Sequence, residues 1–301
     1  MADLIPFDER DGALWMDGKI VPWRDGKVHV LTHALHFASC VFEGERMYAG
    51  NIYKLKEHTE RLFASAALLG ITIPYTEDQI NRACYEAAEV QGITEGYVRP
   101  VVFRGAATMP TVAAQKAGVH VAVAVWPWPS YFDPAEKLKG IRLDISEWRR
   151  PAPDTAPTKA KCAGLYMICT LSKHAAEARG YSDALMFDYR GLVAEATGAN
   201  IFFVRDGQLH TPTPDCFLDG ITRRSVMALA AARQIPVRER AIQRDELPDF
   251  TECFLTGTAA EVTPVAEIGP YRFKPGKISE LLMNDYATEV RRPVNVAAAT
   301  V

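Results

Sequence analysis

Pro127, Pro129 and Pro134 crowd the stretch 127–134. Each locks its own φ, lacks an amide donor and pushes the residue before it towards extended backbone, so neither a helix nor a central strand can run through. In a chain of 301 residues this break is a natural joint between two units of about 150 residues, each long enough for a core of its own. The expected division is a small N-terminal domain over 1–126, a linker over 127–138 and a larger C-terminal domain over 139–301.

Upstream of the break, 14–23 reads as a hairpin turning at Asp17-Gly18, and a second hairpin turns at Ala49-Gly50-Asn51. Between them 32–48 begins loosely and settles into a strand. A helix is expected over 56–69, with Leu62, Phe63, Ala66 and Leu69 at roughly helical spacing. Thr76 and Gln79 have capping-box spacing ahead of Ile80, Ala83, Cys84, Ala87 and Val90, which predicts a second amphipathic helix ending near Gly92. Strands follow over 97–103 and 119–126, the second apolar enough to be buried on both faces. Beyond the break, strands are expected at 185–188, 200–204 and 253–256, and helices at 164–179, 222–233 and 278–289. No steady strand–helix alternation runs through them, so the expected fold class is α+β and not a doubly wound sheet. The alanine-rich C-terminus is expected to fray.

A net charge of −3, with no Lys/Arg block interleaved with aromatics, argues against nucleic-acid binding. No stretch approaches about 18 continuous apolar residues, and residues 1–12 mix acids with Arg10 where a signal peptide would be apolar, so a cytoplasmic protein is expected. The six cysteines show neither C-x-x-C pairs nor histidines at zinc spacing, and are read as reduced thiols with no metal. His33 and His36 are read as structural for want of a third ligand.

Candidate chemistry begins at 151–166, where Pro151, Pro153 and Pro157 give way to Lys159 and Lys161 among Ala160, Cys162, Ala163 and Gly164. Two solvated loop lysines would fit that composition. So would one nucleophilic lysine, because small neighbours leave room for a bulky group beside the amine. Glu195 lies in an apolar, small-residue run, where a buried carboxylate needs a cation or proton donor and an exposed one does not. Gly220-Ile221-Thr222-Arg223 opens a predicted helix and is either an ordinary cap or an anion seat. The turn at Thr256-Gly257-Thr258-Ala259-Ala260-Glu261 is either a plain connector or a nest of amides. No G-x-G-x-x-G or P-loop signature is present, which disfavours a dinucleotide or a P-loop nucleotide.

Taken in order, Phe42-Glu43-Gly44-x-Arg46, Arg61-Leu62, Tyr97-x-Arg99-Pro100, Lys161 with Gly164 and Tyr166, Glu195-x-x-Gly198-x-Asn200, Gly220-Ile221-Thr222-Arg223 and Gly257-Thr258-Ala259-Ala260-Glu261 resemble the branched-chain amino-acid aminotransferases. These are fold-type IV pyridoxal-phosphate enzymes. Each motif is weak alone; their shared order over nearly the whole chain is specific.

The resemblance implies two α/β domains with pyridoxal 5′-phosphate at their interface, a homodimer or larger homo-oligomer, and transamination between Leu, Ile or Val and 2-oxoglutarate. It makes Lys161, not Lys159, the Schiff-base lysine and general base, and Tyr166 the partner of the cofactor's phenolic oxygen. Glu195 becomes the acid that keeps the pyridine nitrogen protonated. Arg61 with the Ile221, Thr222 and Thr258 amides becomes the phosphate seat. Tyr97 and the Thr258 and Ala259 amides would hold the substrate α-carboxylate, and Arg99 the second carboxylate of glutamate. Phe42, Arg46, Trp128 and Tyr131 fall in the substrate pocket, and Met109 matches a residue that reaches the partner subunit's site. Two residues depart from the pattern. Phe37 replaces a common tyrosine on the substrate-facing wall, and Glu45 replaces the usual aliphatic residue between Gly44 and Arg46. The alternatives are a fold-type IV D-amino-acid or (R)-amine transaminase, a lyase-like β-eliminating relative, and a cofactor-free binding protein.

Overall fold

A computed structural model describes residues 5–109, 111–128 and 137–292. Most of the 127–138 stretch, Tyr131 within it, and the C-terminal 293–301 lie outside these residues. The fold is α+β, in two compact units: Met1–Pro129 with Ala160–Gly164, and Ser130–Lys159 with Leu165–Val301.

In the first unit the described residues form strands β1 (Ala13–Met16), β2 (Lys19–Pro22), β3 (Cys40–Phe42), β4 (Glu45–Tyr48), β5 (Asn51–Ile52), β6 (Gly96–Arg104) and β7 (Val119–Pro127). The helices are α1 (His33–Phe37), α2 (Leu55–Leu68) and α3 (Glu77–Glu89). The sheet runs β2-β1-β7-β6-β4-β5, with β3 also paired to β6. Asp17 and Gly18 turn the first hairpin at φ 49° and 91°, the left-handed pair that a two-residue loop requires. The α3 box forms as expected, with Thr76 Oγ1 accepting from Gln79 N at 3.3 Å and Thr76 N donating to Gln79 Oε1 at 2.8 Å.

Strand β7 departs from expectation. Val121, Val123 and Val125 are fully buried, whereas Ala122, Ala124 and Trp126 are half-buried. The sheet is antiparallel and α3 packs on β1, β6 and β7, so the valines, opposite Val98 and Val102 of β6, face the helix with Ile80, Ala83, Cys84 and Ala87. The opposite face bears Tyr97 and Arg99 of β6 beside Trp126 and Ala124 of β7. Val90, expected on the apolar stripe of α3, is the exposed C-cap residue.

The described residues of the second unit form β8 (Ile141–Arg150), β9 (Asp183–Asp188), β10 (Val193–Ala196), β11 (Asn200–Arg205), β12 (Gln208–Thr211), β13 (Val237–Glu239), β14 (Glu252–Gly257), β15 (Glu261–Ile268) and β16 (Tyr271–Arg272). Helices α4 (Tyr166–Ala178), α5 (Ile221–Ala232) and α6 (Lys277–Glu289) accompany them. The sheet order is β10-β9-β8-β15-β14-β11-β12-β13. Its β15–β8, β8–β9 and β12–β13 pairs are parallel, and the rest are antiparallel. Leu143, Leu185, Ile201, Phe203, Leu255 and Val265 centre its core. A short turn joins β10 to β11, with Ala196 N donating to Ala199 O at 2.8 Å, so the first strand of the path lies beside its sixth. Among the described residues no helix is long and apolar enough to cross a membrane, and all six cysteines are free thiols.

Candidate active site

The two lysines of the central loop have unlike surroundings: Lys159 is exposed and Lys161 is half-buried. Ala160–Gly164 packs with the first unit, where it borrows the open side of β3. Cys162 forms a bridge with Val41, Phe42 N donates to Lys161 O at 3.1 Å, and Lys161 N donates to Ser65 Oγ of α2 at 3.0 Å. Both ends of the residue's backbone are therefore fixed. Its Nζ lies 5.0 Å from the centroid of the Phe42 ring, and Arg99 Cζ stands 4.9 Å from that same ring.

The polar face of the sheet is an aromatic wall around Arg99. Its guanidinium carbon is 5.3 Å from the Tyr97 ring and 5.9 Å from the Trp126 ring. Tyr97 stacks on Trp126 at 5.0 Å and meets Trp128 at 5.3 Å. Among the described residues no carboxylate pairs with Arg99, its Nε is buried without a hydrogen-bond partner, and Nη2 reaches Tyr97 Oη only at 3.5 Å. A half-buried cation over aromatic rings, its Nε unpaired, is of a kind that can take a carboxylate. Arg46 shares this face, because it is in register with Tyr97, and donates to Trp128 O at 3.3 Å. Gly44 has no room for a side chain here, since a Cβ would sit 2.0 Å from Tyr97 Oη. Phe37 and Met109 lie elsewhere, in a cavity of about 220 Å³ shared with Leu31, His33 and Thr108, and both are exposed. His33 and His36 hydrogen-bond to Ser39 and to backbone carbonyls, as structural histidines do.

Arg61, on α2, is gripped by Glu43, with Nε–Oε1 at 2.7 Å and Nη2–Oε2 at 2.8 Å. His58 Nδ1 donates to the same carboxylate at 2.7 Å. Burial alone would push the Glu43 carboxyl up, but Arg61 and His58 hold it far below the usual carboxylate range. Burial lowers the His58 pKa against Glu43's pull, so the imidazole is neutral at physiological pH. Neither Glu43 nor His58 was singled out as functional from sequence; Glu43 stood in a motif without a role.

In the second unit Glu195 is a buried residue of β10 and not an exposed loop acid. Its Oε1 stands 3.5 Å from Arg150 Nε, and its Oε2 accepts from Asn200 Nδ2 at 3.2 Å. Burial works against the Arg150 charge, yet Glu195 together with Cys169, Tyr166 and Cys216 outweighs it and the guanidinium pKa rises. Asn200 also accepts from Gly220 N at 3.1 Å and donates to Leu218 O at 2.9 Å, which ties the acid to the start of α5. A Cβ on Gly220 would lie 2.1 Å from Asn200 Oδ1, so this glycine permits the close approach. The α5 N-terminus has no side-chain cap, and Ile221 and Thr222 are buried there, leaving first-turn amides suited to an anion. Arg223 of the same motif is structural: fully buried, it donates to Asp219 at 2.8 Å and pairs with Glu239. Thr258 and Ala259 lie in the β14–β15 turn, where a Cβ on Gly257 would lie 3.4 Å from that of Ala199 and Thr256 Oγ1 is buried without a hydrogen-bond partner among the described residues. Tyr166 is half-buried at the first position of α4. Arg150 was missed from sequence because nothing local marks it; its role comes from Glu195 lying across the sheet.

The family described as amino-transferase class IV matches residues 40–268. A branched-chain-amino-acid aminotransferase of Pseudomonas aeruginosa is 39% identical over 285 residues, which cover 92% of this chain and 92% of that protein. The solved T.th. branched-chain amino acid aminotransferase with pyridoxamine 5′-phosphate superposes with a TM-score of 0.91 at 37% identity, over 94% of this chain and 96% of that one. A second structure of that enzyme, complexed with N-(5′-phosphopyridoxyl)-L-glutamate, gives 0.89 at 37% identity, with the same coverage. The chain belongs to the class IV aminotransferases and, within them, to the branched-chain-amino-acid aminotransferase group.

Proposed function

We propose that this protein is a cytoplasmic, homodimeric transaminase that uses pyridoxal 5′-phosphate to move the amino group of Leu, Ile or Val to 2-oxoglutarate. The observation that carries the reading is the Phe42 ring with Lys161 Nζ at 5.0 Å and Arg99 Cζ at 4.9 Å. Such a pocket places an amine beside an apolar wall that also holds a cation, as two alternating substrates, one aliphatic and one dicarboxylic, require. The names of the relatives support the branched-chain substrates, and the glutamate moiety in the solved phosphopyridoxyl-glutamate complex supports the dicarboxylic partner. They lend nothing to the D-amino-acid or (R)-amine alternative. Free thiols throughout agree with a reducing compartment.

The residues present fit the cofactor's chemistry. The Glu195 carboxylate, buried beside Arg150, would pair with a protonated pyridine nitrogen and keep the proton there. Uncapped amides at Ile221 and Thr222, with Thr258 and Arg61, would seat a phosphate. When bound, pyridoxal phosphate supplies a carbonyl that condenses with amines and an electron sink for loss of the α-proton. Lys161 would hold it through Nζ and, once displaced by substrate, carry that proton from the α-carbon; its clamped backbone limits where Nζ can reach. Tyr166 Oη would donate to the phenolic oxygen. Tyr97 Oη and the Thr258 and Ala259 amides would orient the α-carboxylate, and Arg99 would take the distal carboxylate of glutamate. Tyr131 and Met109 complete the proposed pocket, the latter from the partner subunit.

Borohydride reduction of the yellow holoenzyme followed by peptide mapping tests the assignment, together with a panel of amino donors. The label is expected on Lys161, and Leu, Ile, Val and Glu are the expected donors. Label on Lys159, or a panel in which only D-amino acids or amines react, would overturn it.

A further inference from the structure

Helix α2 presents Arg61 and Ser65 one turn apart on one face. Ser65 Oγ accepts from Lys161 N at 3.0 Å, while Arg61 gives its Nε–Nη2 edge to Glu43. The strand opposite repeats the pairing. Phe42 N holds Lys161 O at 3.1 Å, and the very next residue, Glu43, holds Arg61. Helix and strand thus each grip both the lysine backbone and the arginine. The Glu43 carboxylate is fully buried and fixed from several sides: it accepts from His58 Nδ1 at 2.7 Å and from Gly44 N at 3.2 Å, and the amide of the same residue donates to Pro100 O of β6 at 2.9 Å.

We propose that Glu43 is a positioning residue: it aims the Arg61 guanidinium at the cofactor phosphate and holds it at a fixed spacing from Lys161. This rests on the reading of Arg61 as a phosphate ligand given above. On Coulomb's law alone a carboxylate beside a phosphate-binding cation weakens the site. What Glu43 contributes must therefore be geometry. An unrestrained arginine gives up rotamer freedom on gripping an anion, whereas one already held in a bidentate fork has lost that freedom on folding.

The test compares pyridoxal 5′-phosphate with pyridoxal, which has the aldehyde but no phosphate, by absorbance titration of the full-length protein stripped of cofactor. Glu43→Asp keeps the charge and withdraws the carboxylate by one methylene. The Kd for pyridoxal 5′-phosphate should rise about tenfold, with that for pyridoxal almost unchanged. Glu43→Gln, which keeps the shape, should also lower the preference for the phosphorylated form and serves if the Asp variant folds poorly. Equal weakening of both ligands would mean that Glu43 is merely structural, and tighter phosphate binding in Glu43→Gln would mean that its charge outweighs its aim; either result overturns the proposal. Arg61→Ala is run in parallel. If it leaves the phosphate preference intact, the assignment of Arg61 fails with the proposal, whereas loss in Arg61→Ala but not in the Glu43 variants sinks the proposal alone.

Discussion

Replacing Glu45 with leucine is expected to stabilise the protein, and to do so more as the pH rises. Glu45 is fully buried on β4, in register with Val98 and so on the helix-covered face of the sheet. Neither of its oxygens makes a hydrogen bond of ordinary geometry among the described residues; the Cys84 thiol, a weak donor, is the nearest approach to one. Burial first, and then the Glu43 charge, push its pKa well above the ordinary value, with Arg61 opposing them. The folded state therefore keeps the proton that the unfolded chain releases above about pH 4.3. Stability falls with rising pH from there until the raised folded value is passed, by up to about 1.4 kcal/mol per pH unit. A neutral carboxyl without partners costs a further 1–3 kcal/mol or so. Imperfect fit of leucine takes some of this back, leaving a net gain of about 1–3 kcal/mol at pH 5 that widens as the pH rises to 8. Urea unfolding of both proteins at matched cofactor saturation, at pH 5, 6.5 and 8, measures the difference. His58 titrates in both proteins and cancels. A variant less stable than the parent at pH 8, or a gap that does not widen with pH, would refute the reasoning.

Two further outcomes test the proposed chemistry. Glu195→Gln should retain cofactor but lose about two orders of magnitude or more in turnover, because an amide cannot hold the pyridine nitrogen protonated; steady-state turnover near the parent's would remove Glu195 from that role. Arg99→Ala should weaken the glutamate half-reaction by about 2–4 kcal/mol and spare the leucine half-reaction, and equal stopped-flow losses with both substrates would make Arg99 a structural residue or an α-carboxylate ligand.

Local chemistry was readable wherever a few neighbouring residues decide the outcome. Asp17-Gly18 turns because those residue types tolerate positive φ, and Thr76 with Gln79 caps α3 because both partners lie within one turn. The order of the motifs likewise carried the family and the fold class, both of which the comparisons bear out. Through-space relations were not readable. Whether β7 is covered on one face or two depends on which helices pack against the sheet, and the sequence 119–126 is apolar in either case. Strand β8, unmarked by any strong period, is held by parallel pairing to β9 and β15, partners distant along the chain. Lys159 and Lys161 have equivalent neighbours in sequence; only the bridge to Val41 and the bond to Ser65 separate a half-buried amine from an exposed one. The same holds for charge. A carboxylate's desolvation and its partners are properties of assembled space, which is why Arg61 and His58 hold the Glu43 pKa far down while burial pushes that of Glu45, two residues along the same chain, well up.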